Sequence, residues 1–127
     1  MSAQMPETIL VVEDDVLVRM TCATLIEDAG YRVIEAPTAD DALAILEKAD
    51  RVELLFSDVD MPGSMDGLEL AEIVHRRWPD IRLLLTSGHH QLGAGKIPDD
   101  GEFMPKPYSL DAVIAQIRAL LADKARQ

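Results

Sequence analysis

Ile9-Leu10-Val11-Val12-Glu13-Asp14-Asp15 runs four apolar residues directly into three acids. The apolar run is too short for a helix that buries one face, and its lack of alternation fits a strand covered on both sides. Beyond the acids, Val18, Cys22, Leu25 and Ala29 recur at helical spacing, and Gly30 ends the pattern. A buried strand with acids at its carboxyl end that feeds a helix is the start of a βαβ unit. The same kind of junction returns further along. Leu54-Leu55-Phe56-Ser57 ends at Asp58, Leu83-Leu84-Leu85 ends at Thr86, and Phe103-Met104 leads through Pro105 to Lys106-Pro107.

The remaining elements fall between these junctions. Residues 31–36 read as a second strand, and Thr38 is placed to cap a helix in which Ala42, Ile45, Leu46 and Ala49 share a face, with Asp41 as capping-box partner. Residues 52–57 read as the third strand. Residues 66–78 give a helix with Leu70, Ile73 and Val74 inward, stopped by Pro79. Residues 81–87 and 102–104 are the last strands. A final helix from Ser109 buries Val113, Ile114, Ile117, Leu120 and Leu121, with fraying expected over 123–127. Between 89 and 101, the residues Gly93, Gly95, Pro98 and Gly101 leave room only for a short or irregular fourth helix. The expected fold class is α/β, a doubly wound five-stranded parallel sheet covered on both faces. The expected organisation is a single domain over 1–127, with its core at about 8–121.

Composition narrows the partners. A formal charge of −11 repels a phosphate backbone, which argues against direct nucleic-acid binding. Cys22 is the only cysteine, so a reducing, cytoplasmic setting is expected, and Cys22 itself reads as core. No apolar run approaches the roughly 18 residues of a membrane span. Met1 and the short polar tail favour a whole protein.

Strand ends of an open parallel sheet share one rim, and ligands bind there where the strand order reverses. Asp58 is the expected centre of that crevice. Asp14 and Asp58 are suited to ligate Mg²⁺ directly, the backbone carbonyl of Asp60 to complete the set, and Glu13 to act through water. Without a cation, such carboxylates repel by about 1–4 kcal/mol per pair. An ionised Asp58 beside the cation can attack phosphorus to give an acyl phosphate. The three oxygens of the transferred group then find the cation, the Lys106 ammonium, and the Thr86 hydroxyl with nearby backbone N–H groups. Asp15 and Asp66 read as helix caps instead.

LVVEDD, SDVDMPGSMDGLEL around Asp58, LLLTSG and FMPKPY together resemble the receiver domain of two-component response regulators, over residues 8–121. The resemblance implies a (βα)5, flavodoxin-like fold and a signalling protein that is no enzyme beyond its own phosphorylation and dephosphorylation. It implies Asp58 as the acceptor of a phosphoryl group from a sensor histidine kinase or histidine phosphotransfer protein. Asp14 and Glu13 become the acidic pair that binds Mg²⁺ or Mn²⁺, and Thr86 and Lys106 sense the phosphate. Phe103, three residues before the lysine, becomes the aromatic that swings inward, although plain core packing fits it too. The Lys106-Pro107 bond would be cis, and Asp60 would occupy a place that tunes phosphate lifetime. His89 and His90 read as loop residues, with His89 as a candidate shield of the acyl phosphate. The chain departs from the family at Pro98-Asp99-Asp100-Gly101, where a Gly-Ala pair is usual. Ser87-Gly88-His89 and Pro105 are more similar to receivers of hybrid kinases or small stand-alone receivers. The expected role is therefore a bacterial phosphorelay component, a stand-alone regulator, adaptor, or phosphate shuttle or sink that switches contacts with other proteins.

Two other classes compete. A Toprim-like, metal-dependent nucleic-acid enzyme would also carry an acid on the first strand and Asp-x-Asp later. The net charge and the Lys-Pro pair oppose it. A haloacid-dehalogenase-like phosphatase shares Asp58-x-Asp60, but the chain is short for that fold.

Overall fold

The structure is a computed structural model that describes residues 6–49, 51–63, 65–87 and 101–125, the last three by backbone alone. The chain order is β1 (Thr8–Val12), α1 (Val16–Asp28), β2 (Arg32–Ala36), α2 (Ala39–Lys48), β3 (Leu54–Asp58), α3 (Gly67–Arg77), β4 (Arg82–Ser87), β5 (Glu102–Pro105) and α4 (Leu110–Ala125). All four strand pairings are parallel and the sheet order is β2-β1-β3-β4-β5. The chain steps outward from β1 to β2, then returns past β1 and builds in the other direction. The reversal sets the crevice at the carboxyl ends of β1 and β3, where the helices leave to opposite faces.

Strand side chains alternate between two cores. Leu10, Val12, Leu55, Leu83 and Leu85 meet α2 and α3 through Ala42, Leu46, Leu70 and Val74. Ile9, Val11, Leu54, Phe56 and Leu84 meet α1 and α4 through Cys22, Ile26, Val113 and Ile117. β1 and β3 are buried throughout, which is why their sequence shows a continuous apolar run and no alternation.

Several boundaries differ from the sequence expectation. β3 begins at Leu54 and not at 52, and includes Asp58, because the Val59 N–H is still paired to the Thr86 carbonyl at 2.8 Å. Val52 and Glu53 are nonetheless buried on the approach. In α3, Ala71 lies in the core beside Leu70 and Val74, whereas Ile73 is only half-buried. The last helix continues to Ala125, past the expected fraying point. Helix starts follow the capping rule. Thr38 Oγ1 accepts from the Asp41 N–H, and Asp66 forms a full capping box with Glu69. The segment expected to hold the short fourth helix lies outside the described residues, apart from Gly101.

Candidate functional site

Asp58 closes β3 at 5% exposure. Its Oδ2 accepts from Lys106 Nζ at 3.0 Å and its Oδ1 accepts from the Asp60 N–H at 3.1 Å. The peptide that carries it is held from below by the Ser57 hydroxyl, which donates to the Asp58 carbonyl at 3.1 Å. On the far side α3 presses directly against it, because Gly67 has no side chain to keep the helix away.

Glu13 and Asp14 follow β1. Glu13 is 6% exposed; its Oε1 accepts from the Asp15 N–H at 3.1 Å and its Oε2 lies 3.8 Å from Lys106 Nζ. Burial pushes its carboxyl up to about 7, opposed by the Asp15 N–H, reinforced by the charge of Asp58 and reduced by Lys106. Asp14 is exposed, yet Glu13, Asp14 and Asp58 each bring a carboxylate oxygen within 4.8 Å of the others. Asp15 turns away and caps α1, its Oδ1 accepting from the Val18 N–H at 3.1 Å.

Lys106 reaches this cluster from the loop after β5, where its own N–H donates to the Ser87 carbonyl at 3.0 Å and its peptide bond to Pro107 is cis. Burial alone would lower its pKa. The hydrogen bond and charge of Asp58, with Glu13 and Asp60 behind them, outweigh that and raise it, so the ammonium stays protonated. Thr86 is 1% exposed and faces Asp58 in the β3–β4 register. Phe103 pairs in register with Leu85 and packs half-buried on the α2/α3 side. The structure thus brings Glu13, Asp14, Asp58 and Lys106 into contact range, with Thr86 alongside on the neighbouring strand. Phe103 stands apart on β5, and His89 and His90 lie outside the described residues.

Four contributors escaped the sequence reading. The Asp60 carboxylate accepts from the Ser87 hydroxyl at 2.6 Å, which ties the loop after β3 to the end of β4. Tyr108 packs edge-on to Phe56 at 6.2 Å between ring centres, with its hydroxyl 3.7 Å from Cys22 Sγ. Burial raises the Cys22 pKa, in keeping with a core thiol. Arg19 donates to the Glu13 carbonyl at 3.0 Å. Gly67 was legible in principle: a poor helix former in the first helical position, directly after a capping Asp, signals a close backbone approach.

A sequence model of the response regulator receiver domain matches residues 9–118. The chain belongs to the response regulator receiver family. Among curated relatives, the receiver is 36% identical over 118 residues to the sensor kinase CckA of Brucella abortus, covering 90% of this chain and 12% of that protein. It is 34% identical to the nitrogen assimilation regulatory protein NtrX of Azorhizobium caulinodans, over 87% of this chain and 25% of that one. The receiver therefore spans a small part of the length of these relatives. A CheY-like receiver domain protein from Methanospirillum hungatei superimposes with a TM-score of 0.87 at 25% identity, over 96% and 98% of the two chains. The match sets aside the Toprim-like and dehalogenase-like readings, and a receiver is a signalling component and not a conventional enzyme. Among the described residues, no helix is long and apolar enough to cross a membrane.

Proposed function

We propose that this receiver accepts a phosphoryl group on Asp58 from the phosphohistidine of a sensor histidine kinase or histidine phosphotransfer protein. The observation that carries the reading is one ammonium 3.0 Å from a buried carboxylate that has two further carboxylates within 4.8 Å. When all three are ionised, three carboxylates against one ammonium leave two negative charges, which a divalent cation balances. The donors are all hard oxygens, which fits Mg²⁺ or Mn²⁺. Asp14 and Asp58 would hold the cation, with the Asp60 carbonyl and, through water, Glu13. When bound, the cation would neutralise the carboxylates and draw charge from the phosphoryl oxygens.

An Asp58 oxygen forms the bond to phosphorus as the phosphorus–nitrogen bond breaks, and the electron pair leaves with the imidazole, which takes up a proton. Lys106 and Thr86 then hold two oxygens of the product. Forming the acyl phosphate leaves Lys106 a new partner, and rearrangement of Thr86 and Phe103 around it is the proposed switch. Water hydrolyses the acyl phosphate to reset the site. The output is a change in contacts with partner proteins in the cytoplasm, as a regulator, adaptor or phosphate shuttle or sink. The net charge of −11 supports protein over nucleic acid as that partner.

Incubation with acetyl phosphate and Mg²⁺ followed by intact-mass measurement tests the reading. One added phosphoryl group is expected, lost on EDTA treatment beforehand and absent in Asp58→Asn. An adduct that persists in Asp58→Asn refutes the assignment.

A further inference from the structure

Arg19 lies in α1, one turn beyond the acidic loop. Its Nε donates to Glu35 Oε1 at 3.2 Å and its Nη1 donates to the main-chain carbonyl of Glu13 at 3.0 Å. The side chain is only 15% exposed, whereas a helix arginine ordinarily extends its head into water. The bond to Glu13 matters because of where that carbonyl sits. It belongs to the peptide between Glu13 and Asp14, and the tilt of that peptide sets the direction in which Asp14 leaves the chain. The neighbouring groups are already tied down: the Glu13 N–H donates to the Ala36 carbonyl at 3.1 Å, and the Asp15 N–H donates to Glu13 Oε1 at 3.1 Å. The Arg19 bond holds the peptide between them.

We infer that Arg19 is a positioning residue for cation binding: by holding the Glu13 carbonyl it aims the Asp14 carboxylate at Glu13 and Asp58. Glu35, on β2, fixes the plane of the guanidinium. The inference rests on the reading of Glu13, Asp14 and Asp58 as a divalent-cation site.

Charge and position act with opposite signs here, which makes the role measurable. A positive charge near a cation site repels the cation, so removing that charge alone would tighten Mg²⁺ binding. Losing the orientation of a ligand loosens binding, typically about 10–100-fold for a partner that stands behind a metal ligand. Arg19→Met is therefore expected to weaken Mg²⁺ binding about tenfold. Arg19→Lys is expected to weaken it as well, although the charge is kept, because an ammonium cannot span the Glu13 carbonyl and Glu35 as the guanidinium fork does.

Calorimetric titration of the full chain with Mg²⁺, without a phosphodonor, reads this directly. Thermal unfolding in EDTA confirms that each variant is folded. In an Asp14→Asn background, Arg19→Met is expected to add little, since the group it aims is gone. Mg²⁺ binding by Arg19→Met as tight as that of the unaltered chain, or tighter, overturns the inference. A fully additive loss in the Asp14→Asn background overturns it too, since the effect would then not pass through Asp14. Absence of Mg²⁺ binding in the unaltered chain is a distinct result that removes the cation site itself.

Discussion

Replacing Gly67 with alanine probes the contact between α3 and the strand that carries Asp58. A Cβ at this position would lie 2.0 Å from the Asp58 carbonyl oxygen and 2.8 Å from both the Asp58 carbonyl carbon and Val59 Cα. A close carbon–oxygen contact is about 3.3 Å, so α3 and the end of β3 must part by roughly 1 Å. Every clashing atom is main chain, and no side chain can swing aside to relieve it. The separation also strains the bond from the Gly67 N–H to the Val59 carbonyl, now 3.1 Å. Overpacking costs about 1–3 kcal/mol and the weakened hydrogen bond about 1 kcal/mol more. The better helix propensity of alanine returns up to about 1 kcal/mol. The net loss is about 1–3 kcal/mol, or roughly 4–11 °C in Tm for a domain of this size. The same displacement moves Asp58 relative to Lys106, so labelling by acetyl phosphate should slow along with the fall in Tm. Circular-dichroism melts and a time course of the intact-mass adduct measure the two effects. A Gly67→Ala protein that melts no lower and labels no more slowly would refute the close docking of α3 on β3.

Two further outcomes follow from buried carboxylates. The raised pKa of Glu13 means that its contribution to stability is fully present below its ordinary value of 4.5 and is lost as pH rises through about 7. Without divalent cations, Glu13→Gln should therefore gain on the unaltered protein between pH 5 and pH 8 in urea midpoint, and equal gaps at the two pH values would contradict the raised pKa. Glu53, 4% exposed at the opposite end of the sheet, accepts from the Thr8 N–H at 2.7 Å and pairs with Arg51. Glu53→Ala strands that N–H at the start of β1 and should cost about 1–3 kcal/mol in urea unfolding while phosphoryl labelling stays normal. An unchanged midpoint would show that the pin is dispensable.

Much of the architecture is legible in the amino-acid sequence because two-sided burial leaves a direct mark on it. The runs at 9–12, 54–57 and 83–85 had to be central strands, and the polar residues that ended them had to share a rim. Asp15 was separable from Asp14 by the same logic, since a residue directly before a helix caps it. Two of the residues that escaped act through main-chain atoms, which composition does not reveal. Arg19 touches a carbonyl and Gly67 admits a peptide. The face of α3 was misread at Ile73 for a different reason: the larger apolar residue attracted the assignment, whereas the tight approach to the sheet admits the smaller Ala71. Tyr108 was overlooked because a tyrosine after Lys-Pro carries no signal of its own until Phe56 and Cys22 are seen beneath it.

The strand order also bears on when the molecule becomes competent during its synthesis. Asp58 and Lys106 stand 48 residues apart, and β3, β4 and β5 lie edge to edge in the order in which they are made. No shorter length of chain brings the carboxylate and the ammonium together. A nascent chain that stops short of β5 holds Asp58 without the Lys106 ammonium, so the charge pair at the rim is complete only once that strand and the loop after it have been made.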